Sequence, residues 1–344
     1  MESEKRIGIM TGGGDCPGLN AAIRAATKTA IREGYKVIGI RNGWKGFFDK
    51  DFETLDNLRT SNIIDRGGTI LGTSRVSPLP VENGPQTVLE EVRKLELNGL
   101  IVLGGEGTLT VTYEMFKRGL PVVGIPKTID NDIRGTDYSI GFQTAVQIAT
   151  EALDRLRSTA ESHHRVMLLE VMGRNAGWIA TYAGMANGAD AILIPEIPLN
   201  LDWLCEMLTN RNKKGINFSV VVVAEGTELD GETIGSRDES TDIQRKLLGG
   251  VGQALGGIIE EKTGLETKVS SLGYIQRGGT PVAYDRSLAT ALGVKAFNLI
   301  KQNKFGEMAA IKGDKIINSP LLEVAKGIKP VPKEIYRVAE KFFG

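Results

Sequence analysis

The feature that most constrains this chain is a repeated alternation. Short, nearly continuous apolar runs give way to glycine-rich turns and then to amphipathic helical periods. The runs RIGIMT (6–11), KVIGI (36–40), GLIVLG (99–104), PVVGIP (121–126), RVMLLEV (165–171), AILIPE (191–196), SVVVVAE (219–225) and KVSSLGYI (268–275) read as strands. LNAAIRAATKTAIREG, TVLEEVRKLEL, GFQTAVQIATEALDRLRSTAE and LATALGVKAFNLIKQ read as helices between them. Strands that are apolar on both faces belong to parallel sheets covered by helices on each side. Ligands of such sheets bind beyond the carboxyl ends of the strands.

Glycine-rich segments stand at that place. TGGGDCPG follows the first strand, GGEGT the third, PKTIDND the next and MGRNAGW the fifth, four candidate loops expected on one edge. A chain of 344 residues holds one large or two modest domains, with the break near residue 140. The polar stretch 226–240 reads as an exposed loop. Lys plus Arg and Asp plus Glu both total 42, so no global field favours nucleic acid or an anionic membrane. An anionic ligand therefore needs local clusters. The opening MESEKRIGIMT lacks a signal-peptide layout, no run reaches membrane-spanning length, and Cys16 and Cys205 are the only cysteines. A cytoplasmic protein is the expectation, with neither a disulfide framework nor a zinc site.

Each loop has a bland and a chemical reading. TGGGDCPGLN (11–20) fits neither the dinucleotide fingerprint nor the P-loop pattern. It is either a tight strand–helix turn or an anion site made of backbone amides. In GGEGTLT the acid Glu106 repels a phosphate unless a cation stands between, as magnesium does when held by a carboxylate and phosphates. Alternatively Glu106 is an acid favoured by the helix dipole. PKTIDNDI (126–133) sets Lys127 and Thr128 before two aspartates, Asp130 and Asp132. One aspartate can take a proton from an attacking hydroxyl; the commoner use of DND is an Asx turn. MGRNAGW and GYIQRGG each put an arginine, Arg174 and Arg277, in a glycine-rich turn, suited to a phosphate ester or to a surface ion pair. His163–His164 reads as a solvated helix end, and Trp44, Trp178 and Trp203 as core or ligand-edge residues.

Taken in order, GGGDCPGLNAAIR, RGGTILGTSR, GGEGTL, PKTIDNDI, TDYSIGFQTA, EALDRL, VMGRNAGW, IPE and LGYIQRGGTPVAYDR resemble the phosphofructokinase family. The resemblance runs from the first strand to about residue 300. It implies two similar three-layer α/β/α domains with mainly parallel sheets and the active site in the cleft between them. The nucleotide-donor domain would comprise 1–141 plus about 276–325, and the sugar-phosphate domain 142–275 plus about 326–344. It implies transfer of a phosphoryl group to the 1-hydroxyl of fructose 6-phosphate, a glycolytic step, with Asp130 as the base and Thr128 and Asp132 in support. Met172, Gly173, Arg174, Glu225, Tyr274 and Arg277 match sugar-site positions, and Gly13, Arg75, Gly105, Glu106, Gly107, Thr108 and Lys127 match nucleotide-donor positions. Glu106 matches the magnesium position. Arg165 and Lys268 match positions supplied by a neighbouring subunit, so a homo-oligomer, typically a tetramer, is implied.

Departures accompany the match. Family members commonly carry aspartate where Glu106 stands, arginine at Lys268, histidine at Tyr274 and an aromatic residue at Val76; Trp44 falls at an adenine-side position. Pyrophosphate-dependent members have aspartate at the position of Gly107 and lysine at that of Lys127. This chain pairs the ATP-type glycine with the pyrophosphate-type lysine, a mixture resembling an actinobacterial ATP-dependent group. Since an aspartate vetoes ATP by bulk and charge, Gly107 outweighs Lys127 and ATP is the expected donor. Arg24 matches one effector arginine whereas Lys28 replaces another, implying weak or absent ADP and phosphoenolpyruvate control. A pyrophosphate-dependent enzyme, a non-catalytic nucleotide-binding regulator and a nucleotide-binding oxidoreductase are the rivals.

Overall fold

The computed structural model describes residues 4–229, 232–233, 235–237, 246–248 and 250–344. The chain divides into two compact units, 1–144 with 277–328, and 145–276 with 329–344. In the first, the chain runs β1 (Arg6–Thr11), α1 (Leu19–Arg32), β2 (Lys36–Ile40), α2 (Lys45–Asp49), β3 (Phe52–Leu55), α3 (Gly84–Lys94), β4 (Leu97–Gly104), α4 (Glu106–Lys117) and β5 (Val122–Pro126). Helix α5 (Phe142–His163) begins there and continues into the second unit. The second unit adds β6 (Val166–Val171), α6 (Trp178–Asn187), β7 (Ala191–Leu193), α7 (Leu201–Lys213) and β8 (Ser219–Ala224). The short strands β9 (Glu228–Leu229), β10 (Glu232–Thr233), β11 (Gly235–Arg237) and β12 (Lys246–Leu248) follow. The expected loop at 226–240 therefore includes two-stranded pairings, and its remaining positions lie outside the described residues. Helix α8 (Val251–Thr263) and β13 (Thr267–Ser271) complete the second sheet. The chain returns to the first unit with α9 (Ala283–Lys301), β14 (Glu307–Lys312) and β15 (Lys315–Pro320), and ends in the second with α10 (Lys333–Glu340).

The first unit's sheet has the order β15-β14-β5-β4-β1-β2-β3, parallel through its centre and antiparallel only at β2/β3 and β14/β15. The second unit's main sheet, β13-β6-β8-β7, is parallel throughout. The fold is thus α/β with mainly parallel sheets. Successive strand residues point to opposite faces, and both faces of the first sheet are buried. Met10, Ile38, Ile40, Leu100, Val102 and Val122 share a core with Trp44 and Phe47 of the α2 region and Val88 and Val92 of α3. The alternating set Ile7, Ile9, Ile101, Leu103, Val123 and Ile125 is buried too. Gly99, in register with that set, lies against Ile300 of α9, which packs on α1.

Three runs behave differently from their apolar content. AILIPE is strand only to Leu193, because Glu196 turns to serve a helix start: its carboxylate accepts from the Gly177 amide at 3.0 Å, ahead of α6. KVSSLGYI stops at Ser271, and Gly273–Arg277 forms a 3₁₀ turn with Tyr274 and Ile275 largely exposed. The fourth glycine-rich loop, MGRNAGW, does not share an edge with the other three, since it follows β6 in the second unit's own sheet. β3, β14 and β15 lack the long apolar run that marks a buried strand, being edge or near-edge members.

Helix α5 owes its start to a distant carboxylate. Asp285, fully buried in α9, accepts from the Gly141 amide at 3.0 Å, the Thr144 amide at 2.8 Å and Thr144 Oγ1 at 2.6 Å. First-turn amides are otherwise unpaired donors, and a carboxylate there also meets the positive end of the helix dipole. Burial pushes the Asp285 carboxyl up while these hydrogen bonds pull it back. Replacing Asp285 with alanine strands the buried donors, so Asp285→Ala is expected to lower the unfolding free energy by about 3 kcal/mol. Thermal and urea melts read that loss; an unchanged midpoint would show that the cap contributes nothing.

Candidate active site

Because β1, β4 and β5 are parallel neighbours, their carboxyl ends fall together: Thr11 pairs with Leu103, and Gly104 with Pro126. The three loops that leave these ends are laced by backbone bonds. Gly12 N donates to Leu103 O at 2.9 Å and Lys127 N to Gly104 O at 2.9 Å. The TSR segment joins them, with Gly13 N donating to Ser74 O at 3.1 Å and Thr73 Oγ1 to Gly13 O at 2.5 Å. The first unit therefore brings Gly13, Gly105, Glu106, Gly107, Thr108, Lys127, Thr128, Asp130 and Asp132 to one edge. Arg75 ends the same TSR segment and is exposed. Arg277 also lies in this unit, its Nη1 donating to Asp15 O at 3.2 Å.

Glu106 opens α4 after an extended Gly105, and Thr110 Oγ1 donates to its Oε1 at 3.3 Å. Among the described residues no group of three His, Cys, Asp or Glu side chains forms a metal site. Magnesium does not require one: it keeps its waters and takes one or two carboxylates plus phosphate oxygens. A partly buried carboxylate at a helix start beside a glycine-rich loop fits that donor set.

The DND turn is built on its middle residue. Asn131 is buried in the left-handed region at φ 51°. It accepts from the Ser139 amide at 3.0 Å and donates from Nδ2 to Asp137 O at 3.2 Å. Ser139 Oγ donates to Thr128 O at 2.7 Å, and the Asp130 amide to Thr128 Oγ1 at 3.2 Å. Asparagine tolerates this conformation and copies a backbone turn with its side chain. Thr128 and Asp132 are buried, while Asp130 is partly exposed.

Lys127 is 2% exposed, and its Nζ donates to Gly12 O at 2.8 Å and Gly14 O at 2.6 Å. Burial drives its pKa down to about 8, with nearby Arg277 adding to the fall and Cys16, Asp15 and Asp130 opposing it. Cys16 beneath the loop is pushed up to about 12 by burial, and its thiol donates to Ile140 O, so it is an inert packing residue. Trp44 is 3% exposed and packs in the first unit's core.

In the second unit, β6 and β8 are parallel neighbours, so their carboxyl ends bring Met172–Arg174 beside Glu225. Glu225 N donates to Val171 O at 2.9 Å, and Gly226 N to Gly173 O at 3.2 Å. A methyl group on Gly226 would lie 1.9 Å from the Arg174 carbonyl oxygen, so the arginine's backbone position depends on that glycine. Gly173 itself has φ 144°. Met172 N donates to Gln276 Oε1 at 3.3 Å.

Arg165 and Lys268 fall elsewhere. Arg165 precedes β6, and Lys268 pairs with Met167 near the same strand's start. Both reach Glu266 Oε1, at 2.8 and 3.1 Å, and hold its carboxyl below the usual range. They stand at the opposite end of β6 from Met172–Arg174, a strand length of about 20 Å. One chain does not offer both sets at one point. Tyr274 is 73% exposed. His163 ends α5 and His164 takes a left-handed turn at φ 55°, both exposed. A cavity of about 240 Å³ in this unit, walled by Trp203, Tyr336 and Phe343, is lined by none of the expected sugar-site or donor-site residues.

Sequence reasoning missed the residues that hold the loops. Thr73 and Ser139 show no local signal beyond small polar type. Glu170 and Glu196 are helix caps hidden in apolar context; Glu170 accepts from the amides of Gly250 and Gly252 before α8.

A model of the phosphofructokinase family matches residues 6–300. The pyrophosphate–fructose 6-phosphate 1-phosphotransferase of Amycolatopsis methanolica is 46% identical over 344 residues, covering 98% of this chain and 100% of that one. The ATP-dependent 6-phosphofructokinase of Spirochaeta thermophila is 47% identical over 342 residues, covering 96% and 93%. The crystal structure of Pichia pastoris phosphofructokinase in the T-state superposes with a TM-score of 0.84 at 31% identity. That match covers 99% of this chain and 37% of the longer yeast chain. Two relatives of nearly equal identity thus carry opposite donor names.

The depressed Lys127 ammonium has a stability consequence with a definite sign. An unfolded lysine titrates at its ordinary value of 10.5 and the folded one at about 8. Between those values the unfolded chain binds more protons, so stability rises with pH there. The penalty for burying the charge is full below pH 8 and is relieved towards 10.5. Urea titrations of wild type and Lys127→Met should show the difference moving in favour of wild type across that window. A flat difference would contradict the assignment.

Proposed function

The chain belongs to the phosphofructokinase family, and on that premise we propose that it phosphorylates the 1-hydroxyl of fructose 6-phosphate from ATP. The products are fructose 1,6-bisphosphate and ADP. Phosphoryl transfer needs alignment and charge neutralisation more than covalent help, and the three laced strand-end loops of the first unit suit that need. Asp130 accepts the hydroxyl proton as the sugar oxygen bonds to the γ-phosphorus and the bond to the ADP oxygen breaks. Thr128 and Asp132 orient the reacting groups. Gly13, Arg75, Gly105, Gly107 and Thr108 receive the nucleotide. Glu106 would hold magnesium, which would supply neutralising charge to the transferring group. Arg174, with Met172 and Gly173, takes the sugar's phosphate ester as a bidentate donor; Glu225, Tyr274 and Arg277 complete the sugar site.

The observation that carries the ATP reading is Gly107 in the first turn of α4, next to the candidate metal ligand Glu106. By the family resemblance, an aspartate at this position would crowd and repel the nucleotide's α-phosphate, and glycine removes both obstacles. A pyrophosphate donor is the second reading, favoured by the name of the Amycolatopsis relative. The separation of Arg165 and Lys268 from Met172–Arg174 along β6 supports a homo-oligomer in which those cations serve a neighbour's sugar phosphate. No described helix is long and apolar enough to cross a membrane.

With fructose 6-phosphate and magnesium, wild type should form ADP from ATP far faster than it consumes pyrophosphate in a coupled assay. Efficient pyrophosphate turnover with poor ATP turnover would reverse the donor assignment. Gly107→Asp is expected to move the ratio of kcat/KM towards pyrophosphate. Asp130→Asn should lower kcat by about 10²–10⁴-fold while leaving fructose 6-phosphate binding largely intact; an unaffected kcat would remove Asp130 from the chemistry.

A further inference from the structure

The loop after β1 has an unusual division of its backbone groups. Four consecutive carbonyls are taken by side chains of the first unit. Lys127 Nζ binds Gly12 O at 2.8 Å and Gly14 O at 2.6 Å, Thr73 Oγ1 binds Gly13 O at 2.5 Å, and Arg277 Nη1 binds Asp15 O at 3.2 Å. Gly12 and Gly13 spend their amides on Leu103 O and Ser74 O. Among the described residues, the amides of Gly14, Asp15 and Cys16 have no protein acceptor. Successive amides beside a helix start form an anion-binding concavity, whereas exposed carbonyl oxygens there would repel a phosphate. Lys127 is also the only described lysine or arginine that is buried. A methyl group on Gly13, at φ 80°, would lie 3.2 Å from Thr108 Oγ1 and 3.7 Å from Lys127 Nζ, so loop, threonine and ammonium are packed together.

We propose that Lys127 is a positioning residue for the phosphoryl donor, drawing the carbonyls of Gly12 and Gly14 into the protein and leaving the amides of Gly14 and Asp15 for phosphate oxygens. This deepens the phosphofructokinase reading above and rests on that loop being the donor site. The ammonium is spent on the backbone rather than on the ligand. Lys127 therefore supports ATP and pyrophosphate alike, and donor choice in this chain falls to Gly107. The brace survives titration, because a neutral amine keeps two N–H groups for its two carbonyls.

Lys127→Met removes both bonds at similar length. Hydrogen–deuterium exchange of the donor-free whole chain should then show faster exchange in the segment spanning residues 10–19, with the first unit's central strands still protected. Steady-state kinetics should show KM rising roughly tenfold for ATP and by the same factor for pyrophosphate, with KM for fructose 6-phosphate within about twofold. Thr73→Val, which removes the Gly13 bond, should give the same pattern in smaller measure, and it carries the test if Lys127→Met fails to fold. Unchanged exchange in the donor-free variant, with pyrophosphate use lost and ATP use kept, would make Lys127 a ligand contact and overturn the proposal. Absence of turnover by wild type with either donor would instead overturn the functional reading, which the exchange measurement does not depend on.

Discussion

Parallel pairing of β1 with β4, and of β4 with β5, is the constraint on which the first unit's chemistry depends. An antiparallel neighbour would send the next loop to the other end of the sheet. With all three parallel, the loops carrying GGG, GGEGT and KTIDND leave from one edge, and their first amides pair across strand boundaries. The second unit repeats the device with β6 and β8, which sets the arginine loop beside Glu225. Antiparallel strands are confined to the sheet's margins, where they disturb no functional loop.

Charge that is buried or partly buried plays a consistent part around these loops. Asp285, Glu170 and Glu196 each take amides at or just before the start of a helix, where donors would otherwise go unpaired. Lys127 is their counterpart, a buried donor spent on carbonyls. A charge in low dielectric is tolerated only when hydrogen-bonded. Each of these groups therefore ties a distant element to a loop that a small side chain could not hold.

Much of this was legible in the chain. The central strands, the principal helices and the loops at the ends of β1, β4, β5 and β6 follow from apolar runs broken by glycine. The residue types in those loops left a bland turn and a phosphate role both open, and only their order along the chain resembled the family. Less legible were β3, β14 and β15, whose edge positions give them mixed composition. The bend after Leu193 was hidden because IPE looks apolar while its glutamate caps a helix. Trp44 read as either core or ligand-edge and is core, since local spacing does not say which face of the sheet covers a side chain. The Asx reading of DND also needed dividing: Asn131 makes the turn, and Asp130 and Asp132 flank it.

By itself the sequence determined the α/β class and the family, because these depend on patterns within a few residues of one another. Only the tertiary structure decided what Lys127 does. Its partners lie 113 and 115 residues away and are backbone carbonyls, which carry no side-chain signature. It likewise decided that Arg165 and Lys268 share Glu266 at the far end of β6 from Arg174. Sheet register sets such pairings, and register is a property of the assembled sheet rather than of any one segment.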